Sequence, residues 1–215
     1  MTLEDPARAE PSDRLLDRLG FVFADRAGLE LALTHRSWCA EHAGYASNER
    51  LEFLGDAVLG VVVTEHIFAA YPELHEGELA KLRARVVSEP VLAEVAEGLG
   101  LGDALRLGKG EDTSGGRAKP SILADALEAV IGAVHLDGGM GAARQVVLDL
   151  LTEQIVEAAA RPGGHDHKTQ LQELAARHFD DLPVRGGGEG RSKKQGEQEA
   201  ARAALGGLVG EGTDA

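Results

Sequence analysis

The most informative stretch of the sequence is the nine-residue run Asn48-Glu49-Arg50-Leu51-Glu52-Phe53-Leu54-Gly55-Asp56. Its apolar residues recur at helical spacing, so it predicts the start of a helix. At 100° per residue, Glu49, Glu52 and Asp56 fall within about 60° of one another on that helix. Such a stripe is either a solvated acidic face or half of a cation site, and helical spacing alone does not separate the two.

A second acidic pair, Asp125 and Glu128, is spaced by one helical turn and lies far downstream of the first run. Carboxylates that converge on one place repel one another unless cations lie among them. An all-oxygen set of this kind is what Mg²⁺ prefers, and a substrate phosphate usually completes its shell. The two acidic regions together therefore predict a magnesium site.

Apolar residues border the acidic stripe on the same predicted helix. Phe53, Gly60 and Val63 project within about 40° of the carboxylates. The opposite side of the helix is predicted to face the core, and it holds Leu51, Leu54, Val58 and Val62. Because the acidic stripe runs into an apolar strip, we expect this face to be covered.

Composition predicts a cytoplasmic protein. The chain has 215 residues and 43% hydrophobic content, enough for one good core plus a small appendage. Its single cysteine, Cys39, excludes an internal disulfide. No leader-like segment opens the chain, and the richest apolar stretch, residues 57–71, is interrupted by Glu65 and His66. We therefore expect neither secretion nor insertion into a membrane.

The net charge of −14 weighs against a nucleic-acid partner, because phosphate contacts normally come from clustered Lys and Arg. Divalent cations bound in an acidic cleft would make the local charge positive and allow a polyanion to bind there. Binding of nucleic acid would then depend on metal and on salt concentration.

Helical spacing and capping residues predict an all-α domain. We expect Ser12 to cap a helix that ends at Gly20, Asp25 to start one that runs to about Trp38, and Ser47 or Asn48 to open the acidic helix, which Pro72 stops. Further helices are expected near residues 78–87, 90–99, 120–135 and 142–159. The glycine-rich stretch 101–119 is expected to be a loop.

The run from Asn48 to Asp56 resembles the signature of the bacterial ribonuclease III family. The resemblance continues through Ala32-Leu33-Thr34-His35-Arg36-Ser37, through residues 105–110, and through Lys119-Pro120-Ser121-Ile122-Leu123-Ala124-Asp125-Ala126-Leu127-Glu128-Ala129. These motifs are ordered and spaced as in the family across roughly residues 12–158. The resemblance implies a helical ribonuclease III catalytic domain.

The activity that the resemblance implies is hydrolysis of phosphodiester bonds in double-stranded RNA, leaving 5′-phosphate and 3′-hydroxyl ends. Carried over position by position, the family's metal-site carboxylates match Glu52, Asp56, Asp125 and Glu128. Asp56 and Glu128 are expected to be catalytic, with Glu128 the most rate-critical. The implied cofactor is Mg²⁺, with Mn²⁺ able to substitute, and maturation of ribosomal RNA precursors is an implied role.

Two further acids match secondary positions of the family: Glu49 near a dimer cleft, and Glu76 beside the site, acting from the partner subunit. For Glu76 the alternative is a role in capping a helix N-terminus, where anions are favoured. The resemblance also implies a homodimer, which would cover the apolar strip and give one site per RNA strand. His35 is expected to pack or to form hydrogen bonds, and no histidine is expected to act in catalysis.

The C-terminal part resembles a double-stranded RNA-binding domain that has lost its sheet. We expect the catalytic domain at residues 1–159, a linker at 160–167, a truncated α/β RNA-binding-like segment at 168–208, and a tail at 209–215. The resemblance offers five RNA-contacting residues: Lys168, Gln170, Glu173, Lys193 and Lys194. Only nine residues, 182–190, separate the two expected helices, and five of these are Gly or Pro. Three strands would need roughly 15 residues before any turns, so no sheet fits.

Three function classes follow from the sequence. The first is a metal-dependent endoribonuclease that acts on double-stranded RNA. The second is a non-cleaving regulator that binds double-stranded RNA, and the third is a structural dimeric partner with no RNA role. The matching carboxylates favour the first, because a pure binder gains nothing from repulsion among clustered acids.

Overall fold

The computed structural model describes residues 9–160, with side chains from residue 11, and this part of the chain is helical. The predicted linker, RNA-binding-like segment and tail, with Lys168, Gln170, Glu173, Lys193 and Lys194, lie outside the described residues. The α-helices are α1 (Ala9–Leu19), α2 (Arg26–Ala32), α3 (Arg36–Glu41), α4 (Glu49–Ala70), α5 (Glu76–Val86), α6 (Glu89–Gly98), α7 (Leu101–Ala104), α8 (Lys109–Thr113) and α9 (Pro120–Ala160). A 3₁₀ turn, Gly116–Ala118, precedes α9. The all-α prediction is confirmed for the part of the chain that the structure covers.

The prediction of one continuous helix from Asp25 to about Trp38 is wrong, because two helices, α2 and α3, lie in this segment. Asp25 does cap α2, since its side chain accepts a hydrogen bond from the Ala27 N–H. The helix ends at Ala32 because the next residues pair elsewhere: Thr34 forms an isolated parallel bridge with Arg106, and its carbonyl accepts from the Asn48 N–H. These partners are remote in sequence, so local spacing could not reveal the break.

The loop predicted at residues 101–119 is also wrong in part, because α7, α8 and the 3₁₀ turn lie within it. Arg117 holds this segment together. Its Nη1 donates to the carbonyls of Gly102 and Leu105, each at 2.9 Å, and its guanidinium forms two hydrogen bonds with the carboxylate of Asp112. One arginine therefore joins the end of α7 to α8.

The acidic helix α4 crosses the first half of α9 at two glycines. A Cβ added to Gly55 would overlap the backbone oxygen of Glu128 and lie 2.5 Å from its carbonyl carbon. A Cβ added to Gly132 would overlap the Leu51 oxygen and lie 3.2 Å from the Gly55 nitrogen. Only glycine allows the two backbones this approach, which brings the carboxylates of both helices to one place.

The long helical stretch α9 is two helices that meet at Gly139, whose φ of 75° is left-handed. The two predicted helices, 120–135 and 142–159, are its two halves. Both contribute to the core, with Leu127, Ile131, Leu151 and Ile155 at most 1% exposed. The first half carries the second acidic pair.

By length and composition alone, α4 could cross a membrane, with a mean hydropathy of 1.6. The same helix supplies the core of this domain with seven buried residues and carries Glu52 and Asp56 near its N-terminal end. Core helices of water-soluble proteins pass the same test.

Candidate metal centre

Three carboxylates from two helices meet beside the glycine crossing. One side-chain oxygen each from Glu52, Asp125 and Glu128 lies within 4.8 Å of the other two. Glu52 is supplied by α4, and the other two are one turn apart on α9. The structure thus joins the two acidic regions that the sequence placed on separate helices.

Burial and mutual repulsion both oppose ionisation of the carboxylates in this cluster. Burial, and then the charges of Asp56, Asp125 and Glu52, raise the pKa of Glu128 to about 7. Burial and Asp125 also raise the pKa of Glu52. Charging all members together is costly, and a divalent cation would remove that cost. The donors are all carboxylate oxygens, which fits a hard cation such as Mg²⁺ or Mn²⁺.

Asp56 lies at the open side of the cluster. It follows Glu52 by about one turn of α4, is exposed, and raises the pKa values of both Glu52 and Glu128 through its charge. It is not one of the three residues whose oxygens converge. Its place is therefore beside the tight group, facing solvent.

Glu49 lies at the edge of the acidic cluster, and its carboxylate already contacts two polar side chains. Its carboxylate accepts a 2.6 Å hydrogen bond from the Ser47 hydroxyl and lies 3.9 Å from the Arg36 guanidinium. Its charge still raises the pKa of Glu52. A secondary position for Glu49 remains a prediction.

Glu76 is exposed at the first residue of α5 and is not among the three converging carboxylates. The neighbouring Glu78 makes the N-terminal capping contact, with its carboxylate accepting from the His75 N–H at 3.0 Å. Capping therefore does not need Glu76, whose role beside a partner's site stays a prediction.

One acid near the cluster was missed by the sequence analysis. After burial, the charge of Glu89 is the largest cause of the raised pKa of Asp125. Glu89 begins α6, in a segment that carries none of the quoted motifs. Only its position after Ser88 and before Pro90, a helix start, could have drawn attention to it.

The exposed apolar face of α4 differs from the predicted one. Phe53, which was expected to be covered, is 81% exposed in one chain, whereas Val63 is covered by the core of its own domain. The other large apolar side chains exposed on this helix are Val61, at 47%, and Phe68, at 71%. Phe53, Val61 and Phe68, which we call the α4 stripe, recur at eight and seven residues and so share one side.

Comparisons with known proteins agree on one family. The model of a family described as ribonuclease-III-like matches residues 25–155. A ribonuclease 3 of Nocardia farcinica is 46% identical, covering 97% of this chain and 98% of its own length. A ribonuclease 3 of Leifsonia xyli is 49% identical, covering 91% and 93%.

A solved structure of the nuclease domain of ribonuclease III from Campylobacter jejuni is similar at a TM-score of 0.62 and 45% identity. It covers 66% of this chain and 96% of that domain. That structure is described as showing flexibility in the region involved in its dimer formation.

The same alignments show that this chain is shorter internally than its relatives. The alignment with the Nocardia protein spans 235 positions, whereas 97% of 215 residues is about 209, so about 26 positions have no residue here. The alignment with the Leifsonia protein spans 221 positions against about 196 residues, a shortfall of about 25.

Proposed function

Because the chain belongs to the ribonuclease III family and is an endoribonuclease of that type, we propose that Glu52, Asp125 and Glu128 bind the divalent cation on which cleavage of double-stranded RNA depends. The observation that carries this proposal is the convergence of their oxygens within 4.8 Å, at a site where Glu128 resists ionisation. Mg²⁺ is the proposed ion, with Mn²⁺ able to replace it.

When bound, the metal supplies an activated water and neutralises the charge that develops on the leaving 3′ oxygen. The protein's own residues would hold the cation through the three converging carboxylates, and Asp56, the fourth matching carboxylate, lies exposed beside them. Water adds to phosphorus, the bond from phosphorus to the 3′ oxygen breaks, and the products carry a 5′-phosphate and a 3′-hydroxyl. Glu128, the acid whose pKa is raised furthest towards neutrality, is the proposed rate-critical ligand.

The α4 stripe supports a homodimer. Phe53, Val61 and Phe68 expose apolar surface along α4, starting at Phe53 beside Glu52, and such surface is unfavourable in water unless it is covered. A second copy of the chain related by a two-fold axis would cover both α4 stripes. It would also bring two acidic clusters into one cleft, with one cluster for each RNA strand. Under this arrangement Glu49 lies near the dimer cleft, and Glu76 of each subunit acts beside the site of the other.

For the C-terminal segment we keep the proposed division into a linker at 160–167, a truncated RNA-binding-like region at 168–208 and a tail. The internal shortfall of about 26 aligned positions is in keeping with a lost sheet. The proposed RNA contacts, which include Lys193 and Lys194, would then be weak and electrostatic. Most of the affinity for duplex RNA would come from the metal-bound catalytic dimer.

We place the enzyme among soluble cytoplasmic proteins that process ribosomal RNA precursors and other transcripts. The competing proposal, a non-cleaving regulator, needs no clustered carboxylates, and the repulsion within the cluster would lower its stability without benefit. A structural dimer without RNA predicts no uptake of metal.

The decisive experiment is cleavage of a long perfect RNA duplex by the purified protein with and without Mg²⁺, at low and at physiological salt. A Glu128→Gln variant should abolish cutting, whereas Glu97→Gln, an exposed acid on α6 outside the cluster, should not. Calorimetric titration with Mg²⁺ would accompany it. Cutting that persists in Glu128→Gln, or no metal uptake by the folded wild-type dimer, would overturn the proposal.

A further inference from the structure

The hydrogen bonds around His35 fix where its ring carries a proton. His35 is the N-cap of α3, and its Nδ1 accepts from the Ser37 backbone N–H at 3.2 Å. A backbone N–H can only donate, so Nδ1 must be unprotonated while this bond exists. The Ser37 hydroxyl lies 2.8 Å from the same nitrogen and must therefore donate to it.

The Ser37 hydroxyl is itself fixed from the other side. Its oxygen accepts from the Gly108 N–H at 2.9 Å, so its single proton is available for Nδ1. The backbones are close here as well, since a Cβ on Gly108 would lie 2.5 Å from the Ser37 carbonyl oxygen. The His35 N–H donates to the Arg106 carbonyl at 3.1 Å. Ring and backbone of His35 are both held.

With Nδ1 occupied as an acceptor, the ring is the neutral Nε2–H tautomer, and Nε2–H is its one remaining donor. Burial lowers the pKa of His35, which agrees with a neutral ring. The charged groups around it are Glu111, Arg36, Asp125 and Glu49. Both neighbours of His35 contact the start of α4: the Thr34 carbonyl accepts from the Asn48 N–H at 2.9 Å, and the Arg36 guanidinium lies 3.9 Å from Glu49. His35 therefore lies at the edge of the acidic cluster.

We propose that His35 is a positioning residue of this site: Ser37 and Gly108 fix its tautomer so that Nε2–H is presented to an anionic oxygen at the edge of the cluster. That oxygen belongs either to the carboxylate of Asp125 or to a phosphate of bound RNA, and both are acceptors of the same chemistry. Partners that orient a metal's ligands commonly contribute about 10–100-fold to metal affinity or activity. The inference rests on the proposed function of the cluster.

The tautomer can be measured without metal or RNA. Nitrogen NMR of the wild-type protein, with the His35 signals assigned by their loss in His35→Asn, should show an unprotonated Nδ1 and a protonated Nε2. Ser37→Ala removes the hydroxyl and should reduce the preference for this tautomer. A protonated Nδ1 in the wild type would overturn the proposal.

Two substitutions separate the two nitrogens. The amide oxygen of asparagine can take the place of Nδ1, and Asn is a good N-cap, so His35→Asn should keep the fold while removing the Nε2–H donor. Glutamine reaches further, so His35→Gln should retain a donor near Nε2 while losing the cap. His75→Asn is the matched control, because His75 is the N-cap of α5 and is not among the charged groups around Asp125.

The expected results distinguish the two possible acceptors of the hydrogen bond from Nε2–H of His35. If Asp125 accepts, His35→Asn should bind Mn²⁺ alone about tenfold more weakly, with unchanged thermal stability. If a phosphate accepts, Mn²⁺ affinity should be unchanged and the KM for duplex RNA should rise about tenfold. In either case His35→Gln should retain more function than His35→Asn, although it is less stable. A His35→Asn protein that matches the wild type in both readouts would overturn the inference.

These readouts also keep the inference separate from the proposed function. Wild-type protein that binds no Mn²⁺ and cuts no duplex would refute the metal-dependent nuclease itself. Wild-type protein that does both, beside an equally competent His35→Asn, would refute only the role of His35.

Discussion

Gly55 lies directly against the backbone of Glu128, with no room for a side chain between them. A Cβ on Gly55 would be 2.5 Å from the Glu128 carbonyl carbon. This contact sets the distance between α4 and α9 at the level of the acidic cluster. The glycine in the middle of the acidic run therefore helps to form the acidic cluster, although it offers no carboxylate.

Gly55→Ala should lower the free energy of unfolding by about 3 kcal/mol, because two helix backbones must separate to admit one methyl group. It should also weaken metal binding, since Glu52 would move away from Glu128. Urea unfolding and Mn²⁺ titration would measure both. Gly98→Ala is the control: a Cβ there meets nothing within 4 Å, so stability should be unchanged or rise by up to about 1 kcal/mol. Equal behaviour of the two variants would contradict this account of the crossing.

The sequence predicted the helix α4 well because the signals for it are local. Acidic and apolar residues at helical spacing mark the helix, and Pro72 lies just beyond its end. The break between α2 and α3 depends on Thr34 meeting Arg106, which no local pattern contains. Val63 shares the side of the carboxylates, as its spacing predicts, but the core of its own domain covers it, because α9 packs against this side of α4. Glu89 reaches the cluster only through tertiary packing.

Glu128→Gln should stabilise the metal-free domain at high pH. The folded state raises the pKa of Glu128 from 4.5 to about 7, so the folded chain binds this proton more tightly than the unfolded chain. Stability contributed by the proton is complete below pH 4.5 and is lost as the pH rises through about 7. Glutamine stays neutral, and after allowance for solvent screening the variant should gain about 1 kcal/mol over the wild type above pH 7.

Thermal unfolding of both proteins in a chelator, across this pH range, measures the difference directly. Near pH 4.5 the two curves should converge. Saturating Mg²⁺ should reverse the order at high pH, because ligand binding stabilises only the protein that binds it. If the difference in stability between the two proteins does not change with pH, the raised pKa of Glu128 is not its cause.

Metal affinity should fall as the pH falls below about 7, because the cation competes with a proton on Glu128. With one proton displaced, the loss should approach tenfold for each pH unit. Calorimetry in buffers of different ionisation enthalpy should register release of about one proton per cation near pH 6. Release of no proton would mean that Glu128 is already charged in the metal-free protein.

Phe53→Ala should weaken the dimer while leaving the fold of each subunit intact, because the side chain is 81% exposed in one chain. Loss of a central aromatic anchor typically costs about 2 kcal/mol, or roughly 30-fold in the dissociation constant. Sedimentation equilibrium would measure it. Val22→Ala, at a 90% exposed residue outside the α4 stripe, is the control. A dimer unaffected by Phe53→Ala would place the interface elsewhere.

Removing both Lys193 and Lys194 should have a small effect on RNA binding if the C-terminal segment has lost its sheet. Each lysine that contacts a phosphate adds about 0.9 to the slope of log affinity against log salt, so replacing both by alanine should lower the slope by less than about 2. Duplex binding would be followed by fluorescence anisotropy in a Glu128→Gln background, so that the RNA is not cut. Lys81→Ala on α5 controls for the loss of a surface charge. If the double variant instead loses about a hundredfold in affinity at physiological salt, the shortened segment is a working RNA anchor, and the catalytic dimer is not the main source of grip.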